Sequence, residues 1–202
     1  KNNITRTIMI YIVGSDLESM SGAASSDIIE MMDSGVDLSK TNVLIYTGGT
    51  SEWWIEAIPT NRNMVYELQE DGFVPVKEQL DLNMGDSYTL ESFLSYAKKN
   101  YPAEQFGLIL WDHGGGPMFG YGVDEKANDL LEMSEIAEAL DDSGFVGEKK
   151  LEFLGFDACL MATTETALML SDHADYLIAS EETEPGIGWY YTDWLTKLSK
   201  NT

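Results

Sequence analysis

The chain is poor in basic residues. Its 202 residues include 12 Lys and Arg against 35 Asp and Glu, a formal net charge of −23. Proteins that bind nucleic acid displace the counterions of the phosphates with a basic surface, and too few Lys and Arg are present to build one. Like-charge repulsion also argues against binding to an anionic membrane surface. The composition therefore excludes nucleic acid and anionic membranes as expected partners.

The sequence also lacks long apolar runs and cysteine pairs. Its longest apolar stretches, at 7–13 and 106–111, have the length of strands and fall short of the roughly 18 residues that a membrane-spanning helix needs. We expect no membrane span, and a signal segment that is either absent or already removed. Cys159 is the single cysteine, so no internal disulfide can form.

Enough apolar residues are present for a folded core. They make up 44% of the chain, and a sequence this apolar buries enough surface to offset the entropy lost on folding. The length fits one domain, which we expect to cover residues 1–202.

Short apolar segments alternate with segments of helical period. An Asp-Gly pair at 71–72 predicts a hairpin between two of the strands. We predict strands at 7–13, 42–47, 64–68, 73–76, 106–111, 151–156 and 176–179, and helices at 26–32, 87–99, 134–140 and 161–170. This alternation predicts an α/β fold with a mostly parallel sheet and helices on both faces. In such folds, ligands bind at the carboxyl ends of the strands.

Two reactive side chains follow predicted strands. His113 comes two residues after the strand at 106–111, and Cys159 lies 46 residues further along (159 − 113), after the strand at 151–156. A lone cysteine is more often a small hydrophobic residue than a nucleophile. A cysteine nucleophile needs an imidazole nearby and backbone N–H groups for the oxyanion. His113 and Gly114 offer both, so the arrangement favours catalysis.

Longer motifs around these residues make a resemblance specific. The segment 108–116 reads Leu-Ile-Leu-Trp-Asp-His-Gly-Gly-Gly, and 155–162 reads Gly-Phe-Asp-Ala-Cys-Leu-Met-Ala. With 9–18 and 179–189, they make the chain similar to the clostripain family of cysteine peptidases, in the clan of caspases, gingipains and legumains. The resemblance implies a caspase-like α/β/α sandwich, a Cys–His dyad and cleavage after Arg or Lys.

The same resemblance assigns roles to individual residues. Cys159 would be the nucleophile and His113 the general acid, and the backbone N–H groups of Gly114 and Cys159 would form the oxyanion hole. Asp157 would lie at the base of the primary specificity pocket, where a carboxylate can bind a guanidinium or an ammonium. A second acid is expected after the last strand; Glu182 is one candidate, with Glu181 and Glu184 as alternatives.

The family resemblance further implies self-processing between the dyad residues. Lys126-Ala127 is a bond of the preferred type in a polar segment, and the two processed chains could stay associated without a covalent link. No cofactor is required for the chemistry, although calcium is a candidate ion without an assigned site. The resemblance points to a secreted, cell-surface or periplasmic bacterial protein, and to the N-terminal part of a longer catalytic chain.

A non-catalytic reading stays open beside the enzymatic one. The chain could be an acidic secreted binding module of the same fold, with the aromatic residues at 53–54 and 189–191 as its contact surface. A serine hydrolase is disfavoured because no Gly-x-Ser-x-Gly motif occurs. The second histidine, His173, is expected in a solvated loop, and Asp112 is expected to point away from the dyad.

Overall fold

The structure is a computed structural model and describes residues 4–200. The strands are β1 (Arg6–Val13), β2 (Thr41–Gly48), β3 (Arg62–Gln69), β4 (Gly72–Leu80), β5 (Gln105–Trp111), β6 (Tyr121–Asp124), β7 (Asp129–Leu131), β8 (Leu151–Asp157) and β9 (Ala174–Ile178). The α-helices are α1 (Ser15–Ser21), α2 (Ala23–Met32), α3 (Ser87–Asn100), α4 (Gly116–Phe119), α5 (Met133–Asp142), α6 (Thr164–Leu170) and α7 (Tyr191–Lys200).

Seven of these strands form one sheet in the order β4-β3-β2-β1-β5-β8-β9. The five neighbouring strands β2, β1, β5, β8 and β9 run parallel to one another. Strands β3 and β4 add an antiparallel hairpin at the β2 edge of the sheet. The parallel strands end on the same side of the sheet, which creates the edge where α/β proteins bind ligands. A second, two-stranded sheet of β6 and β7 follows β5 in the chain.

The central strand β1 explains why both faces of the sheet are covered. All of its residues are buried, and successive side chains of a strand point to opposite faces. Met9, Tyr11 and Val13 belong to one apolar cluster together with the inner sides of α3 and α5. Ile8, Ile10 and Ile12 belong to the other cluster, together with α2 and α7. The predicted α/β sandwich with helices on both faces is therefore confirmed.

Helix α3 shows how the sequence sets one of these layers. Asp86 caps its first turn by accepting a hydrogen bond from the Tyr88 N–H, at 2.8 Å. Leu90, Phe93, Leu94 and Ala97 are buried, and this spacing lines one side of a helix. The helix thus packs one apolar stripe on the sheet.

Short elements at the carboxyl edge escaped the sequence prediction. These are α1, α4 and the β6–β7 hairpin, of which α1 lines the site described below. Each has fewer than eight residues, too few for a hydrophobic period to be recognised. Within residues 4–200, none of the helices has the length and apolar character needed to cross a membrane.

Candidate active site

The pairing of β5 with β8 brings the predicted dyad together. Trp111, the last residue of β5, is the register partner of Asp157, the last residue of β8. The Asp112 N–H donates to the Asp157 carbonyl at 3.3 Å, so the backbone hydrogen bonding continues past the end of β5. His113 and Cys159 each lie two residues beyond the Trp111–Asp157 pair. Since the strands are parallel, both side chains emerge at the same edge.

Both residues line one cavity of about 200 Å³ at this edge. Its walls come from the ends of β5 and β8, from α1 and α2, and from the loop after β9. The lining residues are Leu17, Ala23, Asp27, Trp111, Asp112, His113, Asp157, Ala158, Cys159, Glu184, Pro185, Gly186 and Gly188. Imidazole, thiol and several carboxyl groups therefore share one solvent-accessible volume.

Gly114 lets the histidine loop pack against the cysteine loop. A Cβ atom at this position would lie 2.1 Å from the backbone oxygen of Cys159, so only glycine fits. Among the described residues, none accepts a hydrogen bond from the backbone N–H of Gly114 or from that of Cys159. The two N–H groups expected in the oxyanion hole therefore have no hydrogen-bond acceptor within residues 4–200.

His113 has a carboxylate partner that the sequence did not suggest. Its Nε2 lies 2.8 Å from Oδ1 of Asp16, in the first turn of α1, and the two side chains are 43% and 56% exposed. The hydrogen bond with His113 is the main cause that lowers the pKa of Asp16. Asp16 thus engages Nε2 and leaves Nδ1 as the ring nitrogen that a proton-transfer role of His113 would use.

The nucleophile candidate lies before a strained turn. Leu160 has a φ of 63°, a left-handed conformation that is rare for residues other than glycine. Its backbone N–H donates to the Glu182 carbonyl at 3.0 Å, which ties the cysteine loop to the loop after β9. The Glu184 N–H donates to Sγ of Cys159 at 3.3 Å. The loop after β9 thus holds both the thiol and the residue that follows it.

Asp157 is buried in the wall of the cavity. Its Oδ2 accepts hydrogen bonds from the Tyr191 hydroxyl at 2.8 Å and from the Trp189 N–H at 3.2 Å. The pKa of Asp157 is raised to about 6 in spite of these bonds, mainly by burial and to a smaller extent by the nearby carboxylates of Glu184 and Glu30. Pairing with a cation would stabilise the charged form of such a buried carboxylate.

The loop after β9 contains the three acids that the sequence offers as candidates for the pocket, and only Glu184 lines the cavity. Glu184 lines the cavity, and burial raises the pKa of its carboxyl group. Glu181 and Glu182 are exposed and are not among the lining residues. Glu182 instead contributes its backbone carbonyl to the turn after Cys159. The geometry thus disfavours Glu182 as the second acid.

An acid from another element also reaches the cavity. Asp27 lies on α2, is 5% exposed, and accepts a hydrogen bond from Nε1 of Trp111 at 2.6 Å. Burial raises the pKa of Asp27 to about 8, with smaller contributions from Asp157 and Glu30. One signal in the sequence could have revealed it. Asp27 shares the helical spacing of the buried apolar residues Ala24, Ile28 and Met31.

Asp112 connects the elements around the dyad. It was expected to point away, yet it is buried and lines the cavity. Its Oδ1 accepts a hydrogen bond from the Ser15 hydroxyl and its Oδ2 one from the Val123 N–H, both at 2.5 Å. Burial raises the pKa of Asp112 to about 7. Asp112 therefore holds the start of α1 and strand β6 next to His113.

His173 corrects a second expectation. Placing it in a solvated loop was wrong, because it is 6% exposed, with Nε2 lying 3.0 Å from Oδ1 of Asp141. It lies just before β9, where its backbone also pairs with Leu151. His173 thus links Asp141 of α5 to the segment that leads into β9, and it is not among the residues that line the cavity.

The predicted processing bond lies in the turn between β6 and β7. Oδ1 of Asp124 accepts hydrogen bonds from the N–H groups of Lys126 and Ala127, at 2.9 and 3.0 Å. The Lys126 ammonium pairs with Asp81 and donates to the Thr60 carbonyl. Neither residue of the bond lines the cavity. Within residues 4–200, the side chains of His, Cys, Asp and Glu form no group of three or more that could hold a metal ion.

Three comparisons with known proteins agree with this architecture. A model of the clostripain family, Peptidase C11, matches residues 10–202. Clostripain from Hathewaya histolytica is 31% identical over 137 residues, 58% of this chain and 25% of clostripain. A secreted C11 cysteine protease from Bacteroides thetaiotaomicron, solved with an irreversible peptide inhibitor, aligns with a TM-score of 0.80 and 26% identity. That alignment covers 96% of this chain and 54% of the protease.

A second solved structure shares the fold. An inactive zymogen C11 protease from Parabacteroides distasonis aligns with a TM-score of 0.72 and 24% identity, covering 95% of this chain and 53% of the zymogen. The chain spans about half the length of these structures and a quarter of clostripain. With a family model matching nearly all of its length, around a cysteine and a histidine on paired strand ends, the chain belongs to the clostripain family.

Proposed function

We propose that residues 1–202 form a single catalytic domain of a cysteine endopeptidase that cuts peptide bonds after Arg or Lys. The observation that carries the proposal is the register of β5 and β8, which sets Cys159 and His113 two residues beyond the register partners Trp111 and Asp157. The cavity beside them contains carboxyl groups that no Lys or Arg in its lining neutralises. Family membership supports the same chemistry.

The reaction would proceed by acyl transfer through the thiol. The Cys159 sulfur, as thiolate, attacks the carbonyl carbon of the peptide, and the oxyanion that forms accepts hydrogen bonds from the N–H groups of Gly114 and Cys159. His113 donates a proton to the nitrogen as the C–N bond breaks, which releases the amine and leaves a thioester. Water, deprotonated by His113, then hydrolyses the thioester and regenerates the thiol.

Specificity for a basic residue follows from the acids of the cavity. Asp157 is buried beside the nucleophile, and Glu184 lines the same volume. A cation bound there replaces the water that burial has removed from these carboxylates. The pairing therefore contributes more binding free energy than the same pairing at the protein surface. We assign the second pocket acid to Glu184 rather than to Glu182.

The test is a panel of fluorogenic peptides that differ only in the residue before the reporter: Arg, Lys, Asn or Asp. The proposal predicts cleavage of the Arg and Lys peptides and loss of that activity in Cys159→Ala. Cleavage confined to the Asp or Asn peptides would overturn the basic specificity. No cleavage of any peptide would favour the alternative, an acidic binding module.

An added chelator tests whether activity depends on calcium, for which the described residues offer no ligand group.

Self-processing after Lys126 is the second part of the proposal. The bond lies in an exposed turn, between the strands that carry the two dyad residues. Cleavage there would leave β5 and β8 on separate chains that stay paired in one sheet, so the two products would remain associated. Incubation followed by electrophoresis and N-terminal sequencing gives the answer. If Cys159→Ala is cut at Lys126 as efficiently as the wild type, another peptidase is responsible.

Secretion from a bacterial cell is the setting that fits these properties. The matching protease of Bacteroides thetaiotaomicron is described as secreted, and none of the helices described in this chain could span a membrane. Expression of the full-length gene, with fractionation of cells and medium, would locate the protein.

A further inference from the structure

The Asp27 carboxyl group has no part in the mechanism above, although it lines the same cavity as the thiol. Its Oδ2 is engaged by Nε1 of Trp111 at 2.6 Å. Its Oδ1 has no hydrogen-bond partner within residues 4–200, and neither does Oδ1 of Asp157, whose Oδ2 is likewise engaged by its neighbours. Each carboxyl group therefore has one oxygen fixed by the protein and one left for a ligand.

The charges around this pair call for a cation. Asp157 comes from the end of β8 and Asp27 from α2, so the two carboxyl groups approach the cavity from different elements. Besides this pair, the lining contains two further acids, Asp112 and Glu184, and no Lys or Arg. Acids that are shielded from water and have no basic partner in the protein gain most from a cation supplied by the substrate.

We infer that Asp27 is a further carboxyl group of the primary specificity pocket and makes the enzyme prefer Arg to Lys; this rests on the proposed function. A guanidinium presents five N–H donors in one plane and can bridge two carboxylates that lie on different sides. An ammonium is a compact charge that one carboxylate, Asp157, satisfies. Removing the charge of Asp27 therefore costs an Arg substrate more than a Lys substrate.

The protonation of Asp27 gives this preference a pH dependence. Burial raises the pKa of Asp27 to about 8, so the group carries a proton at neutral pH in the absence of a cationic substrate. The titratable groups that face it or share its cavity are Glu30, Asp157, Tyr191, Glu184, Asp112, His113 and Cys159. As the pH rises through about 8, Asp27 becomes charged and its attraction for a guanidinium grows.

The experiment measures kcat/KM for two peptides that differ only in Arg or Lys before the reporter, between about pH 6.5 and 9, where both side chains stay protonated. The ratio of the two values cancels the ionisations of Cys159 and His113, which act equally on both. The variant is Asp27→Asn, because an amide keeps the acceptor for Trp111 and resembles the protonated acid. The control is Asp33→Asn, the same change at an exposed residue next to the end of α2.

The inference predicts that the Arg-to-Lys ratio of the wild type rises with pH. In Asp27→Asn the ratio should fall about tenfold at pH 9 and lose its pH dependence, as expected for one charge-assisted hydrogen bond. The Asp33→Asn ratio should match the wild type. If Asp27→Asn does not fold, the wild-type profile alone decides, and a flat profile overturns the inference.

Two other outcomes separate this inference from the proposed function. Cleavage of both peptides with the same ratio in wild type and Asp27→Asn overturns the role of Asp27 and leaves the basic specificity intact. A wild type that cleaves neither peptide overturns the proposed function, and the inference with it.

Discussion

At the scale of the residue, Gly114 determines how closely the two catalytic loops can approach. We expect Gly114→Ala to lower kcat about a hundredfold or more, because the added methyl group would overlap the Cys159 carbonyl and displace the dyad by about an ångström. Steady-state kinetics with circular dichroism as a check on folding would measure this. The matched control is Gly35→Ala, whose Cβ would make only ordinary contacts, and it should keep wild-type activity.

Asp16 gives a second prediction at this scale, as a positioning residue that acts through His113. Asp16→Asn should lower kcat about tenfold and leave KM nearly unchanged, because the amide has no charge to fix the imidazole as it gains and loses a proton. Asp16→Glu should recover part of the loss. The control Asp71→Asn removes the same charge at the exposed tip of the β3–β4 hairpin. An equal fall in kcat for both variants would contradict the role.

The residues that sequence could and could not identify differ in a physical way. Cys159 and His113 could be proposed from the sequence because the single cysteine and one of two histidines follow apolar strand segments, at positions fixed by local sequence. Asp16 and Asp27 are ordinary acids among 35, and their roles depend on how α1 and α2 fold over the sheet edge. Only the helical spacing of Asp27 carried a local signal.

At the scale of the element, the turn between β6 and β7 determines whether the predicted processing bond is accessible. The Lys126 ammonium is held by Asp81, and it must leave this partner to enter an acidic pocket. Asp81→Asn should therefore speed self-cleavage after Lys126 severalfold, since an exposed ion pair of this kind is worth about 1 kcal/mol or less. Time courses by electrophoresis measure the rate.

The control for this prediction is a similar change at another exposed ion pair. Glu78→Gln breaks the pair with Arg62 on the β3–β4 hairpin and should leave the cleavage rate unaltered. A rate for Asp81→Asn no higher than that of Glu78→Gln would show that the ion pair of Lys126 does not restrain processing.

The elements themselves were predictable in proportion to their length and burial. Strands such as β1 and β5 are continuous apolar runs, and α3 has a clear apolar stripe. Helix α1 has seven residues between two glycines, and its place depends on contacts with distant parts of the chain, such as the bond from Ser15 to Asp112. Sequence therefore predicted the sandwich well and the edge that bears the site poorly.

At the scale of the whole molecule, three buried acids oppose stability at neutral pH. The pKa values of Asp157, Asp112 and Asp27 are raised to about 6, 7 and 8, above the usual value of 3.8. The folded protein thus binds more protons than the unfolded chain between about pH 4 and 8, and its stability falls as the pH rises through this range. We expect the melting temperature to be lower at pH 8 than at pH 5.

The Asp27→Asn variant separates this effect from the general repulsion of a chain with a net charge of −23. It should raise the melting temperature at pH 8 by a few degrees and change it little at pH 5, where Asp27 is already neutral. Calorimetry at both pH values, with Asp33→Asn as the charge control, measures the difference. An equal gain in both variants would assign the effect to net charge alone.

The equal distance of His113 and Cys159 from the Trp111–Asp157 pair has a consequence for how such a gene can change. Asp112 and Ala158 are spacers of one residue, so a single insertion or deletion there would send the following side chain to the wrong side of the edge. The segment between the two loops is under no such restriction, because its ends are fixed by β5 and β8. Homologous proteins should therefore vary in length between these two loops. They should keep a single residue between each strand end and the histidine or the cysteine that follows it.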